Sequence, residues 1–257
     1  MSNYQLYQGD CLEIMKNIPD KSIDMILCDL PYGVTRNNWD SVISLDQLWI
    51  EYNRIIVDNG AICLFADGMF MAKLMMSNLK MWRYNLVWNK VLASGFLNAN
   101  RMPLRSTEEI VVFYKKQPIY NPQKTKGKPN HSKGKAVGKE SDDKSQVNNN
   151  YGNYTIVDNN KELGDMKHPN SLLTFSKPHP SVSLHPTEKP VELCKWFIKT
   201  YTNEGMTVLD NCMGSGSTGE ACLRTNRNFI GIEKEEKYFN VAKKRLEKVE
   251  EELEENT

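Results

Sequence analysis

The sequence lacks the patterns that would place it in a membrane, in an oxidising compartment or around a metal ion. No apolar run approaches the length that spans a bilayer, and Asp10 and Glu13 near the start leave no signal peptide visible. None of the four histidines has metal-ligand spacing. The six cysteines lack the paired spacing of disulfides or zinc sites: Cys11, Cys28, Cys63, Cys194, Cys212 and Cys222. We therefore expect buried thiols in a reducing cytoplasm, with no metal and no membrane partner.

Acidic residues are also missing from one long internal stretch. The formal net charge is only +1, yet no Asp or Glu occurs between Glu109 and Glu140. The same interval holds Lys115, Lys116, Lys124, Lys126, Lys128, Lys133, Lys135 and Lys139. A local basic surface of this kind suits nucleic acid even when the whole molecule is nearly neutral. The acidic tail, from Glu247 to Glu255, is typical of a solvated surface helix instead.

Apolar strands alternate with helical periods at both ends of the chain. At 257 residues the chain can bury a substantial core as one large domain, with or without an insertion. The strand pattern covers residues 4–8, 23–28, 61–65, 84–88, 110–114, 206–210 and 228–232. Helical spacing begins at Cys11, covers 45–57 up to a stop at Asn59-Gly60, then 69–79, and returns after Pro190, after Gly219 and over 235–252. This alternation predicts a mostly parallel sheet covered on both faces.

The alternation stops between residues 115 and 185, where Gly, Pro, Asn, Lys and Ser dominate. We expect this span to be rich in loops, because no apolar period runs through it. Its basic residues are interleaved with Tyr120, Tyr151 and Tyr154, a combination that suits phosphates and unstacked bases. A flexible Lys-rich insertion without specificity is the alternative.

The first chemically informative stretch is Asp29-Leu30-Pro31-Tyr32-Gly33, directly after the strand 23–28. Open α/β sheets bind ligands at this carboxyl edge. Asp29 offers two acceptor oxygens, Leu30 a main-chain carbonyl aimed by the fixed φ of Pro31, and Tyr32 a flat ring. Together they are suited to a planar base with an exocyclic amine. An ordinary turn is the competing interpretation, since Asp, Pro and Gly commonly follow strands.

The second stretch follows the strand 206–210 and contains Gly214, Gly216 and Gly219. These glycines satisfy a dinucleotide fingerprint, so a nicotinamide dehydrogenase must be considered. Asp210 argues against it, because a carboxylate repels a pyrophosphate but attracts the ammonium of a methionine moiety. S-adenosylmethionine carries that ammonium and a ribose, for which Glu233 is suitably spaced. Asp10, at an earlier strand-to-helix switch, is suited to capping the helix and to contacting a ligand.

Both stretches resemble motifs of the amino-directed DNA methyltransferases. Residues 29–32 are similar to the family's Asp-Pro-Pro-Tyr signature, with Leu30 at a position the family uses through its main-chain oxygen. Residues 210–218 resemble its Asp-x-Phe-x-Gly-x-Gly-Thr loop, with Cys212 for the aromatic residue and Ser217 before Thr218. Residues 185–190 resemble its His-Pro-Thr-Gln-Lys-Pro segment, with Glu188 for Gln. Gly9-Asp10-Cys11, 86–90 and 101–115 are similar to the family as well.

The motif order resembles the permuted β arrangement of these enzymes and implies a Rossmann-like fold with a seven-stranded, mostly parallel sheet and one antiparallel strand near an edge. It implies a catalytic half at 1–115, a target-recognition segment at 116–185 and a cofactor-binding half at 186–257. The implied catalytic residues are Asp29, Leu30, Pro31 and Tyr32. Those implied to bind S-adenosylmethionine are Asp10, Cys11, Lys189, Asp210, Gly214, Gly216, Thr218 and Glu233.

The resemblance implies methyl transfer to an amino group of a nucleotide flipped out of double-stranded DNA. Asp at the first motif position favours adenine N6, with cytosine N4 as the alternative. Ring-carbon methylation would require a reactive cysteine, and no Pro-Cys step occurs. A protein-glutamine methyltransferase and a non-catalytic DNA-binding relative are weaker alternatives. Members of the β arrangement often pair, so a homodimer is also expected, while a restriction partner is left open.

Overall fold

The computed structural model describes residues 3–33, 43–128, 135–138, 155–158, 165–177 and 188–255. The chain divides into two compact units, one formed by Met1–Asn121 with Asn170–Thr257 and the other by Pro122–Pro169. The second unit lies within the span 116–185 that was expected to recognise the target. In the described part of the chain, no helix combines the length and apolarity needed to cross a membrane.

Secondary structure in the larger unit follows the predicted alternation closely. Its strands are β1 (Tyr4–Gln8), β2 (Ile23–Cys28), β3 (Ile56–Ala66), β4 (Trp82–Ser94), β5 (Arg105–Phe113), β10 (Leu172–Thr174), β11 (Thr207–Asp210) and β12 (Asn228–Glu233). Its helices are α1 (Cys11–Met15), α2 (Leu45–Ile55), α3 (Gly68–Ser77), α4 (Val191–Tyr201), α5 (Ser217–Leu223) and α6 (Glu236–Glu254). The smaller unit contains β6 (Thr125–Lys126), β7 (Lys135–Gly138), β8 (Thr155–Asp158) and β9 (Met166–Lys167).

One sheet carries the larger unit, in the order β1-β12-β11-β2-β3-β5-β4-β10. All neighbouring strands are parallel except at β5, which is antiparallel to both β3 and β4. The predicted seven strands and the one antiparallel strand are present, and the short β10 adds an eighth at the edge beside β4. From β2 the chain proceeds to β3 on one side, whereas β11 leads to β12 on the other. The sheet therefore changes direction of winding between β11 and β2, where open α/β sheets form a crevice.

Helices cover both faces of this sheet, as the buried runs require. On one face Leu193 and Phe197 of α4 pack in a cluster with Ala221 of α5 and Leu246 of α6. On the other, Met15, Leu48, Tyr52 and Leu74 bring α1, α2 and α3 against the sheet. The predicted burial of the cysteines is confirmed, since five are buried and only Cys212 is partly exposed.

The predicted stop at Asn59-Gly60 is wrong. Helix α2 ends at Ile55, and β3 begins at Ile56 and continues through Gly60. A Cβ on Gly60 would lie 2.7 Å from Cδ1 of Ile56 and 2.8 Å from the carbonyl oxygen of Asp24. Glycine is therefore required at this position because the Ile56 side chain and the Asp24 backbone approach it closely within the sheet. In the sequence alone, Asn-Gly after a helical pattern cannot be distinguished from a helix stop signal.

The span 115–185, expected to be rich in loops, also contains short strands. Residues Thr125–Lys126 pair with Met166–Lys167, and Lys135–Gly138 with Thr155–Asp158. Leu172–Thr174 joins the main sheet beside Val87–Asn89. These strands have two to four residues, too few to establish an apolar period, so main-chain pairing forms them without a sequence signal. The roles expected of Tyr151 and Tyr154 lie outside the described residues.

Candidate functional site

The two polar turns found in the sequence meet at the crevice of the sheet. Asp29 follows β2 and Asp210 ends β11, and these strands are paired through Met25 with Val208 and Ile26 with Leu209. A cavity of about 440 Å³ opens at their carboxyl ends. Its wall includes Asp10, Cys11, Asp29, Leu30, Pro31, Tyr32, Lys189, Asp210, Gly214, Thr218 and Glu233. Of the predicted site residues, only Gly216 is absent from the wall.

The turn after β2 is held together by its own side chains. The Tyr32 hydroxyl donates to Oδ1 of Asp29 at 2.8 Å. The Tyr32 ring stacks on Phe70 of α3, with centroids 4.8 Å apart and planes 22° apart. One face of the ring is thereby supported by protein, and Leu30 is buried beneath the turn. The turn is thus held rigidly at the cavity wall by side-chain contacts. This argues against the interpretation that residues 29–33 are only an ordinary turn.

Lys189 contacts the turn after β2, whereas the resemblance had placed it with the cofactor. Its ammonium nitrogen lies 2.5 Å from Oδ2 of Asp29 and 3.4 Å from Oε2 of Glu108. It also lies 5.0 Å from the centre of the Phe65 ring. Pro190 occupies the N-cap of α4, and α4 packs against β2 and β3. Lys189, directly before Pro190, therefore lies at the ends of these strands.

Two charged residues that the sequence interpretation missed complete this cluster. Glu108 lies near the start of the antiparallel β5, opposite Trp88, and also lines the cavity. Lys90 is buried at the far end of β4, with its ammonium 3.2 Å from Oε1 of Glu108. The available signal was the pair Glu108-Glu109 directly before the apolar run of β5. Antiparallel β5 begins at the edge where the parallel strands end, so a charge at its start falls in the site.

Burial and pairing oppose one another in this cluster. Burial raises the pKa of Asp29 above its ordinary value, although Lys189 pulls it down. Burial disfavours the charged form of Lys189, but the attraction of Asp29 and Glu108 prevails and its pKa is raised. Burial acts to raise the pKa of Glu108 too, yet Lys189 and Lys90 hold it below its ordinary value. Pairing therefore prevails over burial at Lys189 and Glu108, and only partly offsets burial at Asp29.

The turn after β11 presents a second, separate carboxylate. Asp210 is buried, and its Oδ1 accepts from the main-chain N–H of Cys212 at 3.2 Å. Burial raises its pKa to about 7, against the lowering effect of a hydrogen bond from Thr218. The loop is anchored from α2, because the Tyr52 hydroxyl donates to Oδ1 of Asn211 at 2.5 Å. A buried carboxylate without a cationic protein partner among the described residues is suited to a cationic ligand.

Glu233 holds the glycine loop and faces the same cavity. Its Oε2 accepts from the Gly214 N–H at 2.9 Å and its Oε1 from the Glu235 N–H at 2.8 Å. Burial raises its pKa above the ordinary value. Gly216 lies behind the cavity, at the N-cap of α5 with φ of +80°, where a Cβ would be 3.0 Å from Cβ of Ala242. Gly216 is thus a packing position for the loop.

Asp10 combines the two roles that the sequence left open. Its Oδ1 accepts from the Leu12 N–H at 2.9 Å, which caps α1. The same side chain and the buried Cys11 line the cavity. A cap uses one oxygen, and the remaining lone pairs stay available to a ligand.

Glu188 shows why the family's usual glutamine can be replaced here. Its Oε1 accepts from Nη1 of Arg245 at 2.7 Å, and Arg245 also donates to Glu220 at 2.6 Å. The Nη1 nitrogen of Arg245 also donates to the main-chain oxygen of Ser215 at 3.3 Å. The pair therefore ties the segment before α4 to the cofactor loop and to α6. No local pattern in the sequence indicates this contact.

The cavity fits S-adenosylmethionine by size and by its donor set. A volume of about 440 Å³ is within the range of small-molecule sites, roughly 300–1,000 Å³. Asp210 supplies a buried anion, Glu233 an acceptor near the end of β12, and the glycine loop an approach to the main chain. Across the described ranges, no three His, Cys, Asp or Glu side chains are grouped so as to hold a metal ion.

Comparison with known proteins extends these observations to most of the chain. A family model for N6 and N4 methyltransferases, described as DNA methylase, matches residues 23–244. The type II methyltransferase M.HinfI of Haemophilus influenzae is 26% identical over 95% of this chain and 68% of its own length. The type II methyltransferase M2.DpnII of Streptococcus pneumoniae is 28% identical over 94% of this chain and 89% of its own.

Solved structures give the same result at the level of the fold. The M1.HpyAVI–SAM complex is 26% identical, with a TM-score of 0.62, over 95% of this chain and all of the other. The cytosine-N4-specific PvuII DNA methyltransferase has a TM-score of 0.66 at 15% identity, over 98% of this chain and 91% of its own. The predicted Rossmann-like architecture is therefore confirmed, and at 15% identity the second likeness concerns the fold alone.

Proposed function

Because the chain belongs to the DNA methylase family, we propose that it transfers the methyl group of S-adenosylmethionine to the N6 amino group of adenine in DNA. One observation carries the proposal. The carboxylates of Asp29 and Asp210 end neighbouring parallel strands and line one cavity, so a cationic cofactor and an amine-bearing base are accommodated side by side. The resemblance to M1.HpyAVI, solved with SAM, supports the same cofactor.

On the acceptor side, Asp29 and the carbonyl of Leu30 would activate the adenine amino group, which is a weak nucleophile. The lone pair of an adenine amino group is delocalised into the ring. Two acceptors, each taking one N–H, favour a pyramidal nitrogen with its lone pair directed away from the ring. Lys189 favours the ionised form of Asp29, which this task requires, and the Tyr32 hydroxyl fixes the carboxylate in place. The Tyr32 ring, braced by Phe70, is the surface on which the base would stack.

On the donor side, Asp210 would hold the ammonium and Glu233 the ribose hydroxyls, and Asp10 and Cys11 also line the cavity. When bound, the cofactor supplies a methyl group on a positively charged sulfur. The acceptor nitrogen must lose one proton as its new bond to carbon forms. Asp29 is the carboxylate beside that nitrogen, and burial raises its pKa, so its Oδ atoms are suited to receive the proton.

The choice of adenine over cytosine rests on Asp29, because the first motif position resembles the adenine-N6 members. The geometry of the turn accepts either exocyclic amine, so cytosine N4 is the alternative product. A non-catalytic DNA-binding relative is less well supported, since the charged cluster around Asp29 serves no evident packing purpose. A cytoplasmic location and a homodimer remain expectations.

The experiment has two linked readouts. Tritium from labelled S-adenosylmethionine is followed into unmodified DNA, and DNA from cells producing the protein is sequenced for modified bases. We expect N6-methyladenine at one short sequence, and at least a roughly 100-fold loss of transfer in Asp29→Ala. Cofactor affinity of that variant, measured by calorimetry, should stay close to the wild-type value. N4-methylcytosine would establish the alternative, and normal transfer by Asp29→Ala would refute the assigned role.

A further inference from the structure

The connection between β4 and β5 forms a projecting hairpin end, which we call the arm and define as residues 91–104. Pairing between the two strands shifts register between Asn89 and Ser94, and Ser94 then pairs with Arg105. Val91 has φ of +65°, rare for a β-branched residue, and Gly95 has φ of +92°. A short 3-10 helix, Phe96–Asn98, forms the end of the arm. The arm therefore has a defined backbone conformation, with a bend where it leaves β4.

The arm exposes an unusual amount of apolar surface. Leu97 is 84% exposed and Phe96 77%, and no other large apolar side chain in the described ranges is more exposed than these two. Four further apolar side chains on the arm are exposed: Val91, Leu92, Met102 and Leu104. Exposed apolar side chains concentrated on one short element of a folded protein indicate a contact site for a partner.

The charge of the arm is of one sign. No Asp or Glu occurs between Lys90 and Glu108, and the arm and its two ends carry Lys90, Arg101 and Arg105. Arg105 is paired with Asp67 at 2.8 Å, and Lys90 with Glu108. Arg101 is exposed and has no acidic partner among the described residues. An apolar tip with an unneutralised cation beside it complements a polyanion with stacked, apolar bases.

The arm lies at the edge of the sheet that carries the site. Strand β4 runs parallel to β2, because β5 is antiparallel to both β3 and β4. The arm therefore leaves the sheet at the edge where Asp29 lies. Trp88 and Glu108, just before and after the arm, line the cavity. At its base, the contact of Lys90 with Glu108 continues to Lys189 and Asp29.

From these observations we infer that the arm is a wedge for duplex DNA, with Phe96 and Leu97 entering the base stack at the place the target nucleotide vacates. This inference rests on the proposed function. Turning a nucleotide out of a duplex costs a few kcal/mol of pairing and stacking. Side chains that fill the vacated place and pack on the flanking bases offset part of this loss. A second copy of the chain would cover the apolar surface as well, but it would not account for the cationic character or for the position beside the cavity.

The test uses the full-length protein and a duplex oligonucleotide carrying the methylated sequence found by base sequencing. In one duplex the target base is normally paired, and in the other it faces an abasic position, which removes the pairing part of the opening cost. The variants are the double change Phe96→Ala with Leu97→Ala, the aromatic replacement Phe96→Trp, and the control Met76→Ala. Met76 is an exposed apolar residue on α3, 68% exposed, away from the cavity wall.

We expect the double variant to lose at least about ten-fold in kcat/KM on the paired duplex and less than about two-fold on the abasic one. Phe96→Trp and Met76→Ala should stay within about two-fold of the wild type on both, because one retains an aromatic ring and the other leaves the arm intact. A fluorescent 2-aminopurine at the target position provides a second readout. Its emission on binding should rise with the wild type and much less with the double variant.

Three results would overturn the wedge. The double variant could lose activity equally on both duplexes, or lose none. It could also change the sedimentation mass of the protein, which would show that the arm joins two copies. These results are distinct from a failure of the proposed function, in which the wild-type protein itself would methylate neither duplex.

Discussion

The ammonium nitrogen of Lys189 lies 2.5 Å from a carboxylate oxygen of Asp29, although 160 residues separate the two in the chain. Each residue comes from a different motif, one after β2 and the other before α4. The pair joins the first and last thirds of the sequence at the cavity where methyl transfer is proposed. It also makes the charge of Asp29 dependent on a residue that does not belong to its turn.

Replacing Lys189 by methionine should impair catalysis by changing Asp29. Without the ammonium, burial is opposed by the Tyr32 hydrogen bond but no longer by a nearby positive charge at Lys189, so the pKa of Asp29 rises further. The carboxylate accepts the amine only when ionised, so the acidic limb of the kcat profile should move to higher pH. At neutral pH we expect a loss of up to about 100-fold in kcat. The measurement is labelled methyl transfer to DNA between pH 5 and 9.

Two companion variants separate this effect from a general loss of structure. Lys189→Arg keeps the positive charge and should retain a pH profile near that of the wild type. Lys195→Met removes a lysine from the same part of the chain, where it pairs with Glu192 on α4, and should leave the profile unchanged. An unshifted acidic limb in Lys189→Met would contradict the role given to the pair.

Cofactor affinity should depend on pH through Asp210. Its pKa of about 7 means that it is largely protonated below neutrality. An ammonium ligand binds the ionised form, so affinity should fall by up to about ten-fold per pH unit below 7 and binding should release protons. Asp210→Asn should bind roughly 10- to 100-fold more weakly at pH 8 and lose this dependence. Titration calorimetry in buffers of different ionisation enthalpy measures both effects.

Stability gives an independent check on Asp210. Because its pKa in the folded protein lies above the ordinary value of 3.8, its contribution to stability is present below that value and is lost as pH rises through about 7. Asp210→Asn carries no such charge, so its unfolding temperature relative to the wild type should rise by roughly 2–8 °C between pH 5 and pH 8. An Asp210→Asn variant that binds S-adenosylmethionine normally at pH 8 would refute the assignment of Asp210 to the ammonium of the cofactor.

Two glycines with nearly the same backbone angle should respond differently to alanine. Gly216 has φ of +80° and Gly205 +79°, so alanine costs about 1–2 kcal/mol of left-handed strain at either position. Only at Gly216 would the new Cβ meet a neighbour, 3.0 Å from Cβ of Ala242. We expect Gly216→Ala to lose a further 1–3 kcal/mol or so and to weaken cofactor binding. Urea unfolding measures the difference, and equal losses would show that α6 yields to the extra methyl group.

Restoring the family's glutamine at Glu188 should destabilise this protein. Arg245 would keep its ion pair with Glu220 but lose the one with Glu188, which should lower the free energy of unfolding by about 1–3 kcal/mol. Glu192→Gln is the matched control, because Glu192 is 70% exposed and its pair with Lys195 should contribute less than about 1 kcal/mol. Thermal unfolding of the two variants is compared. Losses of equal size would contradict the importance of the buried pair.

Local signals predicted the main elements of the larger unit well, and they failed where residues far apart in sequence decide the outcome. Strands β1 and β2 have the predicted bounds, because a run of buried residues that ends at a polar turn is visible in the sequence. Gly60 was misinterpreted because its reason, a close approach to Asp24 of a neighbouring strand, is tertiary. The short strands after residue 121 escaped notice because main-chain pairing needs no side-chain pattern.

The sequence alone determined the polar ends of β2 and β11, since turn-forming residues and a terminal carboxylate act within a few positions of one another. It also determined the kind of ligand each end is suited to. Only the tertiary structure decided that these strands are neighbours, that Lys189 and Glu108 surround Asp29, and that the arm leaves the same edge. The physical reason is that a buried charge is costly unless a counter-charge lies beside it, and the segment that supplies the counter-charge is chosen by packing rather than by sequence distance.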